Sequence, residues 1–264
     1  MPKIGIVIPY FRNREALDKC LEHLKAQTLQ DHEVFVRDNS EDNILFTAAV
    51  NEGLEHFVFK RSAEYVLVLN QDAYLEPDAL ANLYRFMEAN PGCGIAGAIQ
   101  VKQDWSVFWA GGLAAFPRGK HKQGELGEFL QPAETYWANG ACMMIRNAVV
   151  REIGLFDKNM RFICSDADYS FTARARGWTI CVVPDAICQH EAGDSGSARI
   201  AELELVKHQD LLYFYGKWLD GAQFRSLALE GATLTTDDIS NARTVLINGI
   251  QTLRHTLEST LRAS

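Results

Sequence analysis

No apolar run in this chain of 264 residues approaches the roughly 18 needed to cross a bilayer, and its N-terminus lacks the layout of a signal peptide. Positive charge is also short. The 26 Lys and Arg against 34 Asp and Glu leave a formal charge of -8, which argues against broad attraction to nucleic acid or anionic lipid. Neither G-x-x-x-x-G-K-[ST] nor G-x-G-x-x-G occurs, which weighs against a P-loop or a dinucleotide fingerprint. The six cysteines (Cys20, Cys93, Cys142, Cys164, Cys181 and Cys188) contain no C-x-x-C pair and mostly lie among apolar residues. They predict reduced core thiols of a cytosolic protein, not a disulfide or zinc framework. Internal repeats and low-complexity segments are missing too. What remains, 47% hydrophobic and 23% charged, is an ordinary globular composition, long enough to bury a sizeable core.

The run Tyr65-Val66-Leu67-Val68-Leu69 carries no charge and stops at Asn70-Gln71-Asp72. A short continuous apolar run of this kind fits a strand buried on both faces of a sheet covered by helices. Ile4–Ile8, Val34–Val36, Ile95–Val101, Ala141–Ile145 and Thr179–Val183 have the same character, with Pro184–His190 continuing the last as an extended segment. Helical spacing appears from Arg14 to Gln27, with Asn13 as N-cap, and again from Ile44 to Phe57. Pro77 introduces a helix over Asp78–Ala89; Gly154 and Gly177 follow helices starting at Ala148 and Ser165. The alternation predicts an α/β fold with a mostly parallel central sheet. Trp105–Leu130, with its basic run Arg118-Gly119-Lys120-His121-Lys122, is either an arm near a ligand or a charge-rich hairpin in solvent. Gly193–Ser197 reads as a mobile loop. Two helices, Ile200–Leu219 and Asp237–Leu261, stand outside the alternation.

Carboxylates stand where such folds place their ligands, beyond the carboxyl ends of the strands. Asp38 and Asp72 end strands; Asp166 and Asp168 open a helix. Capping explains one carboxylate at a helix start, but two at i and i+2 exceed what capping requires. His190 ends an extended segment, and paired with Asp72 it would make a mixed oxygen and nitrogen site for a divalent cation holding phosphates. Taken singly, an Asx turn at Asp72 and a structural role for His190 are the plainer readings.

The order of the segments resembles a family 2 glycosyltransferase of GT-A fold. Ile6-Val7-Ile8-Pro9-Tyr10-Phe11, Val36-Arg37-Asp38-Asn39-Ser40 and Leu69-Asn70-Gln71-Asp72 are similar to its first half. Gly140–Arg146, Gly154-Leu155-Phe156-Asp157, Ser165-Asp166-Ala167-Asp168 and Val183–His190 are similar to its second, and Leu212–Lys217 to a helix of rhamnosyltransferase-like members. The resemblance covers roughly residues 4 to 218 and implies a nucleotide-diphospho-sugar transferase domain over 1–220, followed by a helical extension over 221–264.

By this resemblance Pro9, Tyr10, Asp38, Asn51, Asn70 and Asp72 hold the nucleotide-sugar. Asp72 and His190 bind a divalent metal, Mn2+ or Mg2+. Asp166 is the general base, and Asp168 supports it by orienting acceptor or helix. The resemblance implies inverting, single-addition transfer from a UDP- or dTDP-sugar to a saccharide or lipid-linked saccharide, in the cytoplasm or peripheral to the inner face of the membrane. Four departures stand out. Asn70 and Ser165 replace acids, Asn43-Ile44-Leu45 departs from an N-x-G block although Asn51-Glu52-Gly53 keeps one, and the connection from Ser40 to Asn43 is short. They keep open a non-catalytic sugar-nucleotide or glycan-binding protein on the same fold. A nucleotidylyltransferase is weaker, since Pro9–Asn13 offers no glycine. The apolar stripe from Ile239 to Leu261 predicts packing on the core or a homodimer contact.

Overall fold

The computed structural model describes residues 2–113, 120–191, 200–218 and 236–263. In chain order the elements are β1 (Ile4–Tyr10), α1 (Arg14–Lys25), β2 (His32–Asp38), α2 (Leu45–Leu54), β3 (Tyr65–Leu69), β4 (Ala73–Leu75), α3 (Ala79–Ala89), β5 (Cys93–Val101) and β6 (Val107–Trp109). They continue with β7 (Gly112–Leu113), β8 (Lys120–His121), β9 (Ala133–Glu134), β10 (Cys142–Arg146), α4 (Asn147–Ile153), α5 (Ser165–Arg174), β11 (Thr179–His190), α6 (Ile200–Trp218) and α7 (Thr236–Ala263). A π-helical turn, Glu55–Lys60, extends α2.

The main sheet runs β2-β1-β3-β10-β5-β11-β4. Strands β2, β1, β3, β5 and β11 share one direction, while β10 and β4 run against it. The sheet is therefore mixed, with parallel strands in the majority. Its centre is dry: every residue of β3 and β5 is buried. Side chains alternate across it with the period of two that strands impose. On β3, Val66 and Val68 face a core with Phe57, Met143, Phe156 and Trp109, while Tyr65, Leu67 and Leu69 face another with Leu17, Leu24, Leu80 and Met144. Helices thus cover both faces, which is why these strands lack alternating polarity.

Local signals behave as read. Asn13 Oδ1 accepts the Ala16 N–H at 3.1 Å, and Gly154 (φ 83°) and Gly177 (φ 90°) take the left-handed turns after their helices. The short connection after Ser40 is a tight turn, with Asn43 and Leu45 at positive φ and Asn43 N–H bonded to the Asn39 carbonyl at 3.0 Å. Strand β11 is one continuous element of 12 residues, with an irregularity in its pairing to β5 between Val183 and Ile187 where Pro184 interrupts the ladder. Beyond it, β11 pairs with β4 and sets His190 opposite Ala73.

The stripe on α7 packs against α6: Ile250 is buried, and Gly249 lies against the His208 ring. Val245 and Ile247 stay exposed. The Gly193–Ser197 loop, Arg118-Gly119 and the 220/221 boundary lie outside the described residues. No helix among the described residues is long and apolar enough to cross a membrane.

Candidate active site

The strands that share a direction deliver their carboxyl ends to one rim of the sheet, and most of the polar residues read from the sequence lie along it. Tyr10 pairs with Asp38 at the ends of β1 and β2, beside Pro9 opposite Arg37. Asp38 is exposed and accepts the Ser40 N–H at 2.8 Å; the Ser40 hydroxyl and amide hold its carboxyl below the usual range, so it stays an acceptor. Gln71, inside the Asn70–Asp72 turn, ties this loop to the next strand. Its Oε1 accepts the Phe11 N–H at 2.6 Å and its Nε2 donates to the Phe11 carbonyl at 3.3 Å. Asn39 Oδ1 is buried there with no hydrogen-bond partner among the described residues.

His190 and Asp72 come together across the β11–β4 pairing. His190 Nε2 lies 3.6 Å from Asp72 Oδ1, and the Glu191 N–H bonds the Asp72 carbonyl at 3.1 Å. On its far side His190 Nδ1 faces the buried Gln100 Oε1 at 3.2 Å. An Nδ1–H donated to that oxygen leaves the Nε2 lone pair pointing at Asp72, the tautomer a metal ligand needs. No group of three His, Cys, Asp or Glu is assembled for a metal among the described residues. The residues present nonetheless fit Mg2+ or Mn2+, which take one or two carboxylates, complete their shell with substrate phosphates and water, and accept an imidazole.

The helix start at Asp166 faces the same rim. Asp166 is half-buried; its Oδ2 accepts the Gly140 N–H at 2.9 Å and its Oδ1 the Ala167 N–H at 2.8 Å. A side chain at position 140 would sit 3.3 Å from the Asp166 Cβ and 3.0 Å from the Phe46 ring, so glycine lets the carboxylate close on that amide. The next residue, Ala141, accepts the Asn70 N–H at 2.9 Å, which links the carboxylate to the Asp72 turn through two backbone bonds. Burial raises the Asp166 pKa, against the pull of the two N–H donors. A carboxylate with a raised pKa at a rim of this kind suits proton abstraction.

Two expected residues sit elsewhere. Asp168 turns into the protein: its Oδ1 accepts Trp218 Nε1–H at 2.7 Å and lies 2.8 Å from Lys217 Nζ, which also reaches Asp157 at 3.0 Å. It fastens α6 to α5, the helix-orienting half of its expected role. Burial dominates at Asp168 and raises its pKa, whereas at Lys217 the two carboxylates outweigh burial and raise the ammonium's. Asn51, expected at the nucleotide, is buried on α2 with its amide committed to the Phe156 backbone, donating to the carbonyl and accepting the N–H, each at 2.9 Å. It braces the chain before α5 because a buried amide must find partners for both ends.

Sequence reasoning missed Gln71, Gln100, Asn39, Lys217, Trp218 and His121. Gln71 lay within the Asn70–Asp72 triplet, and Lys217 ended a block that resembled the family. His121 belonged to the basic run, and its ring approaches this rim from the β7–β8 hairpin. A cleft of about 760 Å³ also opens between α6 and α7, lined by Leu212, Tyr213, Ile247, Ile250 and Lys217. It contains none of the strand-end acids.

Comparison with known proteins agrees with this fold. The chain is 25% identical over 169 residues to the N-acetylglucosaminyl-diphospho-decaprenol L-rhamnosyltransferases of two Mycobacterium tuberculosis strains, CDC 1551 / Oshkosh and H37Rv. That match covers 58% of this chain and 54% of theirs, so the chain aligns with about half the length of those relatives. Among solved structures it is similar to the mannosyltransferase PcManGT of Pyrobaculum calidifontis in complex with GDP-Man and Mn2+, with a TM-score of 0.58 at 15% identity, covering 100% of this chain and 76% of that one. It is also similar to GalNAc-T7 with UDP, GalNAc and Mn2+, with a TM-score of 0.62 at 12% identity, covering 100% and 58%. These likenesses establish the GT-A fold. The family model described as glycosyltransferase like family 2 matches residues 46–205, more than half of the chain, and the protein belongs to that family.

Proposed function

We propose that the protein is an inverting, metal-dependent glycosyltransferase that moves one sugar from a UDP- or dTDP-sugar to a saccharide or lipid-linked saccharide acceptor. The observation that carries this reading is the convergence of a half-buried carboxylate, Asp166, and an imidazole–carboxylate pair, His190 and Asp72, on one rim of the sheet. Inversion needs a base within reach of the acceptor hydroxyl, on the face of the sugar opposite the leaving group. Asp166 supplies it: its carboxylate is aimed by Gly140 and Ala167 and takes the proton as the acceptor oxygen attacks. Asp38 receives ribose hydroxyls, and Gln71 keeps the Tyr10–Phe11 loop in register with the Asp72 turn. A divalent cation held by Asp72 and His190 would neutralise charge on the departing diphosphate.

The relatives and structural neighbours favour this over a binding-only protein. The M. tuberculosis enzymes are named as acting on a lipid-linked N-acetylglucosaminyl diphosphate, and both structural neighbours hold Mn2+, one with GDP-Man and the other with UDP and GalNAc. With a lipid-linked acceptor the protein would act peripheral to the membrane, in our reading at its inner face. Incubation with a panel of nucleotide-sugars, followed by assay of free nucleoside diphosphate with and without EDTA, tests the reading. Acceptor-dependent release that EDTA abolishes is the expected result. Tight binding without release in any combination would instead leave a sugar-nucleotide-binding protein.

Asp72→Ala should weaken Mn2+-dependent UDP or dTDP binding by more than the about 10–100-fold that loss of a residue supporting a metal ligand costs. Calorimetry showing unchanged affinity with manganese present would remove Asp72 from the metal site. For assembly, the exposed Val245 and Ile247 support a homodimer contact on α7. Light scattering should then give a dimer for the intact chain and a monomer for one ending near Gly231. A monomeric intact chain leaves α7 with packing on α6 alone.

A further inference from the structure

His121 belongs to no step described so far, yet it is carefully placed. It stands on β8 opposite Gly112, in a hairpin clamped by Thr135, whose Oγ1 accepts the Gly112 N–H at 2.7 Å and donates to its carbonyl at 3.0 Å. A side chain at position 112 would strike the Trp137 ring at 2.2 Å, so the glycine lets the hairpin lie directly on that indole. The His121 ring then rests 5.4 Å from Trp137 and meets Phe108 edge-on at 4.8 Å; Phe108 in turn meets His190 at 5.8 Å. Trp137 and its neighbour Trp109 are buried and close the core. Phe108 and His121 remain partly open.

The Phe108 backbone, Asp166 and His190 all act electrostatically on the His121 ring. The ring therefore borders the space between Asp166 and the His190–Asp72 pair. In a displacement running from acceptor hydroxyl to departing diphosphate, the sugar in transit occupies that space.

We propose that Phe108 and His121 form the wall against which the transferred sugar is held, with His121 bonding a sugar hydroxyl and Phe108 packing on a C–H face. This rests on the transferase reading above. A neutral imidazole can donate or accept, and an apolar wall with a few placed polar groups is how small-ligand sites fix orientation. A site built to bond a hydroxyl also rejects sugars that lack it.

Calorimetry on the intact protein with Mn2+ tests the proposal, using UDP, dTDP and a panel of UDP- and dTDP-sugars against wild type, His121→Ala, His121→Gln and Phe108→Leu. His121→Ala should weaken the best-bound nucleotide-sugar about tenfold, the worth of one hydrogen bond, and leave the bare diphosphate unchanged. His121→Gln, which keeps a donor and an acceptor, should recover part of the loss, and Phe108→Leu should show a smaller loss of the same kind. Equal weakening of sugar and diphosphate means that the hairpin is structural and overturns the proposal, as does no weakening of either. A wild-type chain that binds neither diphosphate overturns the transferase reading itself, and the wall with it.

Discussion

Asp166→Asn is expected to lower turnover by about 10²–10⁴ while the protein folds and binds nucleotide as the wild type does. The asparagine oxygen can still accept the Gly140 N–H, so the loop that carries Asn70 and Asp72 keeps its place. What is lost is the acceptor of the Ala167 N–H and, on the proposed mechanism, the charge that receives the acceptor proton. Because burial raises the pKa of this carboxyl, the wild-type rate should rise with pH along an acid limb displaced above the ordinary aspartate range. The limb should vanish in the variant. Linkage gives the sign for stability as well. The folded state holds the Asp166 proton more tightly than the unfolded state, so stability falls as pH climbs from the ordinary carboxylate value through the raised one. Asp166→Asn, which cannot ionise, should therefore lose less stability between acid and neutral pH than the wild type does. Initial rates across pH together with thermal melts check all three. Near-normal turnover of Asp166→Asn beside a dead Asp168→Asn would reverse the roles of the two acids.

Asp168→Ala should act on stability instead, by about 3 kcal/mol, the lower end of what breaking a buried ion pair costs. It strips Trp218 Nε1–H of its acceptor and leaves the Lys217 ammonium with Asp157 alone. That remaining carboxylate is why the lower end applies. Asp168→Asn keeps an acceptor for the indole and should lose less, with turnover within about tenfold of wild type. Lys217 responds to pH in the same sense as Asp166 but in a far more basic window. Its folded pKa is raised, so the stability it contributes persists through neutral pH and is lost only as pH rises past the ordinary lysine value through the raised one. Urea denaturation at neutral and strongly basic pH separates these effects. A wild-type midpoint for Asp168→Ala would show that the fastening of α6 to α5 carries no stability. Abolished turnover in Asp168→Asn, with folding intact, would move Asp168 into the chemistry.

The sequence by itself determined where the main strands and helices lie, and which polar residues stand near their ends; the short strands, β4 among them, it did not. Apolar runs such as Tyr65–Leu69, the cap at Asn13 and the glycines at 154 and 177 act through near neighbours, so a short window of residues is enough to read them. Asp72, Asp166 and His190 were legible because each follows or opens such an element. Which residues face one another was not. His190 reaches Asp72 only because β11 continues past Pro184 and pairs with β4. Asp168 finds Trp218 across 50 positions, and Asn51 finds Phe156 across 105. His121 arrives from a hairpin whose composition looked like solvent-facing charge. Those pairings are set by register and by the packing of helices on both faces of the sheet. Side chains far apart in the chain carry no local trace of the neighbour that packing will give them.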